Sequence, residues 1–135
     1  MHTTNYQNTF IEVAEDCPAQ SAEIPPLKGE AKSIANLQFE MIAENPYQFT
    51  SDEVIFNGFV TKNKLTSNLQ QERELFFSKG QACLRASPLT KRYGWGIHHN
   101  EAGKVALYPM ESEEYQGFVQ DVGVKKYRAM RSKRG

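Results

Sequence analysis

The chemistry-bearing residues of this chain concentrate in one stretch, Cys83-Leu84-Arg85-Ala86-Ser87-Pro88-Leu89-Thr90-Lys91-Arg92-Tyr93-Gly94-Trp95-Gly96-Ile97-His98-His99-Asn100. It holds the only tryptophan, two of the three histidines and the bases Arg85, Lys91 and Arg92. Guanidinium and ammonium groups at this density suit capture of a carboxylate or phosphate, with the Ser87 and Thr90 hydroxyls as further donors. If residues 94–99 are extended, Trp95, Ile97 and His99 share one face, and Gly94, Gly96 and His98 share the other. The first face has the character of core. On the second, two glycines leave bare backbone beside His98, as happens where a ligand or another backbone comes close. An imidazole titrating near neutrality could serve there as general acid and base. The competing reading is that a helix packs over the glycines and His98 is a hydrogen-bonded structural residue.

Other chemistries fit less well. His98 and His99 are adjacent, so on a strand they point apart and cannot easily share an ion. No Cys-x-x-Cys or His-Glu-x-x-His spacing occurs, so no metal site is expected. Gly94-Trp95-Gly96 is not a dinucleotide fingerprint, because His99 stands where the third glycine is needed, and no Gly-Lys-Ser/Thr loop is present. No cofactor is therefore expected. Arg85 lies near Cys83 in sequence, as activation of a thiolate would need. Leu84 and Ala86 point instead to a buried, inert thiol, and no feature orients Cys17 or Cys83 toward a histidine.

The charges sum to zero, sixteen bases against sixteen acids, but they are laid out in blocks. Residues 1–78 carry eleven acids and five bases, and residues 79–104 five bases against Glu101. Residues 105–124 hold four acids and no base, and residues 125–135 hold six bases and no acid. Such blocks imply either an anionic partner or pairing within the molecule. The last block, which includes Tyr127, could neutralise nucleic-acid phosphates. Zipper heptads, zinc spacing and an RNA-recognition aromatic signature are all absent from the sequence. No apolar run approaches the roughly 20 residues of a membrane span. Met1-His2-Thr3-Thr4-Asn5 lacks a basic start and an apolar signal core. With only two cysteines, a cytoplasmic protein with free thiols is the expectation.

The elements that must position these residues follow from periodicity. Thr9–Ala14 alternates as a short strand. Pro18, Pro25 and Pro26 forbid a regular element through 15–32. Ser33 caps a helix to about Glu44, with Ile34, Leu37, Met41 and Ile42 at helical spacing. Thr50 and Glu53 form a capping box for a helix over 51–62, although Gly58 weakens it and leaves a strand possible. A further helix fits Ser67–Lys79, with Leu69, Leu75 and Phe76 inward. Residues 94–110 form a hairpin around Asn100-Glu101-Ala102-Gly103. A helix begins at Glu111 or Ser112, and a final basic helix covers 124–130. The predicted fold is α+β: one domain over 1–135, in which the N-terminal strand and the 94–108 hairpin make a small antiparallel sheet packed on one side by several helices.

Two stretches carry a family likeness. Thr9-Phe10-Ile11-Glu12-Val13-Ala14-Glu15-Asp16-Cys17-Pro18 and Ser87-Pro88-Leu89-Thr90-Lys91-Arg92-Tyr93-Gly94-Trp95-Gly96-Ile97-His98-His99, with Phe76-Phe77-Ser78-Lys79-Gly80-Gln81, resemble a family of small bacterial proteins of unknown function. The resemblance implies a bacterial, soluble, single-domain protein and brings no activity with it.

The residues themselves point first to a non-catalytic binding or interaction protein. Its surface would combine Arg85, Lys91, Arg92, Gly94, Trp95, Gly96 and His98, and its partner would be a small anion or another protein. The alternative is a small-molecule enzyme with His98 as acid/base and Arg85 and Arg92 holding an anionic substrate. A third possibility is weak nucleic-acid binding through the basic end, 125–135.

Overall fold

The computed structural model describes residues 2–27 and 29–132. Four strands, β1 (Thr9–Glu12), β2 (Trp95–His99), β3 (Val105–Pro109) and β4 (Lys125–Arg128), form one sheet in the order β3-β2-β1-β4. The helices are α1 (Ile34–Ala43), α2 (Ser51–Lys62), α3 (Leu69–Phe76), α4 (Pro88–Lys91) and α5 (Glu113–Gln120), with a 3₁₀ turn at Leu84–Ala86. The architecture is the expected α+β.

The hairpin forms as its turn residues require. Gly103 takes a positive φ of 79°, and the Asn100 side chain accepts from the Ala102 and Lys104 amides. The pairing Ile97↔Leu107 and His99↔Val105 sets β2 against β3, and Thr9↔His99 and Ile11↔Ile97 set β1 against β2, all antiparallel.

Residues 124–130 are not a helix. Lys125–Arg128 is a strand parallel to β1, in the register Ile11↔Tyr127. The physical reason is the edge that β1 would otherwise leave unpaired. Lys125 donates to Asn8 O, and Ala129 donates to Glu12 O. Val124 and Ala129 are buried at the two ends, which anchors a segment whose own alternation is weak. The sheet is therefore mixed rather than purely antiparallel.

Both faces of the sheet are covered, not one. Ile11, Ile97 and Val105 pack with Ile42, Val54, Leu84 and Leu89 from the α1, α2 and α4 side. Phe10, on the opposite face of β1, packs with Tyr115 of α5 and with Val13 and Val124. Fully burying side chains of this size contributes roughly 1.5–3 kcal/mol each.

Helix starts follow the capping chemistry. Ser33 caps α1 and Thr50 caps α2, both in reciprocal boxes, with Asn36 and Glu53 reaching back. The α2 box and its buried Val54 resolve the strand-or-helix ambiguity in favour of helix. In α3 two of the three expected inward residues face solvent, Leu75 at 66% exposed and Leu69 at 42%, while Phe76 is part-buried against Phe56, Phe59 and Phe77. The fully buried residue here is Phe77, just past the helix end. The proline-rich segment is a strap tied down by backbone. Glu23 N donates to Tyr93 O, Trp95 Nε1 to Glu23 O, and Asn36 Nδ2 to Pro25 O.

Candidate anion-binding cleft

The predicted site residues separate into three places. Lys91 and Arg92, at the end of α4, line a cleft of about 350 Å³ together with Tyr93, Ser33, Ile34 and Ala35. The chain reaches this point because Ser87 caps α4 with its hydroxyl on Leu89 N and Pro88 occupies the first helical position. That is where proline's fixed φ and missing N–H do no harm.

Facing the two bases is the N-terminus of α1. Its first turn holds no acid, so its amide dipoles present partial positive charge to the same space. Among the described residues the cleft lining contains no carboxylate. Among the described residues the ion pair shown is Lys32–Glu40, at 2.8 Å. Among the described residues, neither Lys91 nor Arg92 makes an ion pair with the acidic first half of the chain.

Arg85 lies elsewhere. Its Nε donates to Arg128 O, its own carbonyl accepts from Met130 N, and its guanidinium sits 5.4 Å from the Tyr127 ring centre. It therefore extends the pairing of β4 on that strand's outer side and is spent on holding the C-terminal segment. Beside it, Tyr6 Oη and Cys83 Sγ are 3.3 Å apart. Burial, with the contact to Cys83, pushes the Tyr6 phenol up to about 12, so it stays protonated and can donate to sulfur.

Gly94, Trp95 and Gly96 serve packing. Gly94 has a φ of 79°, and a Cβ there would meet Met110 Sδ and Ser21 O at 2.9 Å. A Cβ on Gly96 would lie 2.5 Å from Phe10 Cζ and 2.6 Å from Tyr115 Cε2. The space that looked open in sequence is filled by the protein's own rings. Trp95 leans on Phe39, with ring centres 5.3 Å apart.

His98 is half-buried under α5, its ring stacked on Phe118 at 4.2 Å between centres. Its Nδ1 is 2.8 Å from Tyr47 Oη, which is also 2.8 Å from Tyr108 Oη. Burial lowers the His98 pKa, opposed by Asp121. Burial and the Tyr108 contact raise the Tyr47 phenol. Tyr47 adopts a φ of 60°, unusual for a bulky residue, and Tyr47 N is held by Val105 O. A hydroxyl does lie within reach of His98, but the imidazole does not border the Lys91–Arg92 cleft.

Three residues with polar roles were not singled out from the chain. Asp52, 6% exposed, accepts from Thr3 Oγ1 and Thr4 N at 2.6 Å and from Thr4 Oγ1 at 2.7 Å. It ties the N-terminus to the first turn of α2, and the Thr50–Glu53 box was the one available pointer. Gln38, in α1, accepts from the Ser87 hydroxyl at 2.6 Å. Tyr47 had no pattern to mark it at all.

The family pattern of DUF6157, a family of unknown function, matches residues 1–135. The chain belongs to the DUF6157 family. The resemblance seen in the sequence is thereby identified, and it extends over both the strap and the cleft. No curated protein and no solved structure matches this DUF6157 chain. Among its described residues no helix is long and apolar enough to cross a membrane, and no group of three or more His, Cys, Asp or Glu could hold a metal ion.

Proposed function

We propose that the protein is a binding module for a small anion, taken in the cleft between the N-terminus of α1 and the end of α4. The observation that carries this reading is the pair Lys91 and Arg92, in no ion pair among the described residues, facing helix amides across a cleft without a described carboxylate. A carboxylate or phosphate entering there would receive charge-assisted hydrogen bonds from the side chains and the favourable end of the helix dipole. Besides the two bases, the cleft's described lining holds the Ser33 hydroxyl and the Tyr93 phenol, and no imidazole, thiol or carboxyl. A set dominated by cationic donors supports binding of an anion. The free thiols Cys17 and Cys83 support a reducing compartment, and the reading places the protein in bacterial cytoplasm.

Titration with acetate and with inorganic phosphate, followed by amide shifts of Ile34 and Ala35, tests it. Arg92 is exposed and its backbone alone is tied, to Pro88 O, so Arg92→Ala should fold normally. A hydrogen bond to a charged group is worth roughly 1.5–3 kcal/mol, so the variant should bind at least tenfold more weakly. Unchanged affinity in a folded variant, or no response to either anion in the parent, would overturn the reading.

A further inference from the structure

A second cleft, of about 270 Å³, adjoins the first. The two share Ile34, Ala86 and Pro88 as a common ridge. Beyond the ridge the walls turn apolar, with Ile55 and Phe59 of α2 and Ala82. Gln38, Ser87 and Cys83 bring polar groups into this second cleft. Gln38 is only 7% exposed. The Ser87 hydroxyl accepts the Leu89 amide and donates its own proton to Gln38 Oε1. With Oε1 engaged there, Gln38 Nε2 has no partner among the described residues. Nε2 is not one of the fully buried unpartnered polar atoms, so it keeps access to the open space of the cleft, where a ligand acceptor takes over a hydrogen bond otherwise made to solvent.

Resting on the anion reading above, we propose the ligand class: an acyl-type anion, with a carboxylate head, a carbonyl acceptor close to it and a short apolar chain. The head lies against Lys91, Arg92 and the α1 amides. The chain crosses the Ile34–Pro88 ridge into the second cleft, and the carbonyl accepts from Gln38 Nε2. Gln38 stands four residues beyond Ile34, about 6 Å along the helix axis, so the acceptor must lie only a few bonds from the head. N-Acylated amino acids have this layout.

Calorimetric titration with acetate, which is head only, and with N-hexanoylglycine, which has head, carbonyl and chain, tests the assignment. The full chain should bind hexanoylglycine at least tenfold more tightly than acetate, since each buried methylene contributes roughly 0.8 kcal/mol. Ala82 is exposed and borders only the second of the two clefts. Ala82→Phe should fill that cleft and reduce hexanoylglycine affinity to the acetate level while leaving acetate unchanged. Hexanoylglycine should also slow alkylation of Cys83, which lines the same cleft, and leave Cys17 unaffected. Equal affinity for the two probes, with Arg92→Ala still weakening both, would overturn the ligand assignment and leave the anion cleft standing. If neither probe responds to Arg92→Ala, the anion cleft falls with it.

Discussion

His99 provides the sharpest test of how this fold is held together. The residue ends β2 facing the core, is fully buried, and has no hydrogen-bond partner for Nδ1 or Nε2 among the described residues. Its nearest ring is Tyr6, edge-on at 5.4 Å. Burial lowers its pKa from 6.5 to about 4, outweighing the nearby backbone of Ile97 and Thr9, which favours the cation, while His98 adds to the lowering. In the unfolded chain His99 binds its proton as pH falls through about 6.5. In the folded protein it stays neutral until about 4. Between those values the unfolded state binds more protons, so stability falls as pH falls. Above 6.5 the contribution is flat, and below 4 the loss is complete. Each pKa unit is worth about 1.4 kcal/mol, so acidification across this window should remove about 3 kcal/mol through His99 alone. His99→Phe keeps an aromatic ring against Tyr6 and cannot titrate. Near pH 7.5 the variant should match the parent to within about 1.5 kcal/mol. Urea unfolding of both proteins from pH 7.5 to 4, with the difference taken at each pH, isolates the effect, because carboxylates and His98 contribute to both curves. The difference should shift in the variant's favour by about 3 kcal/mol, mostly between pH 6.5 and 4. Parallel curves would refute a neutral, desolvated His99.

Two further perturbations probe how α5 packs on the sheet and how residues 3–4 are held. Gly96→Ala places a methyl within 2.6 Å of the Phe10 and Tyr115 rings and should cost about 1–3 kcal/mol in thermal or urea unfolding. A neutral result would mean that α5 sits less tightly on the sheet than the ring contacts imply. Asp52→Ala removes the acceptor of three hydrogen bonds from Thr3 and Thr4. It should destabilise by about 2–3 kcal/mol and raise amide exchange over residues 2–6, whereas unchanged exchange there would show the N-terminus to be held by other contacts.

Local chemistry determined much of this protein. The Ser33 and Thr50 caps, the Asn100–Gly103 turn and the alternation of residues 94–99 act over a few residues, so they can be read without knowing the fold. The same locality explains why Lys91 and Arg92 stood out as anion-binding candidates. What could not be read was set by contacts distant in sequence. Residues 125–128 became a strand because β1 offered a free edge, which no pattern within the segment records. Gly96 lost its open face because Phe10 and Tyr115 arrive there from β1 and α5. Arg85, Trp95 and His98 parted from Lys91 and Arg92 because a strand sends neighbours to opposite faces and the C-terminal segment claimed Arg85. Gln38 looked like one polar residue on a helix. Only the packing of α1 against α2 and the turn before α4 buried it and satisfied one end of its amide. The other end was left facing the second cleft, because a side-chain amide needs partners at both ends and tertiary packing supplied one.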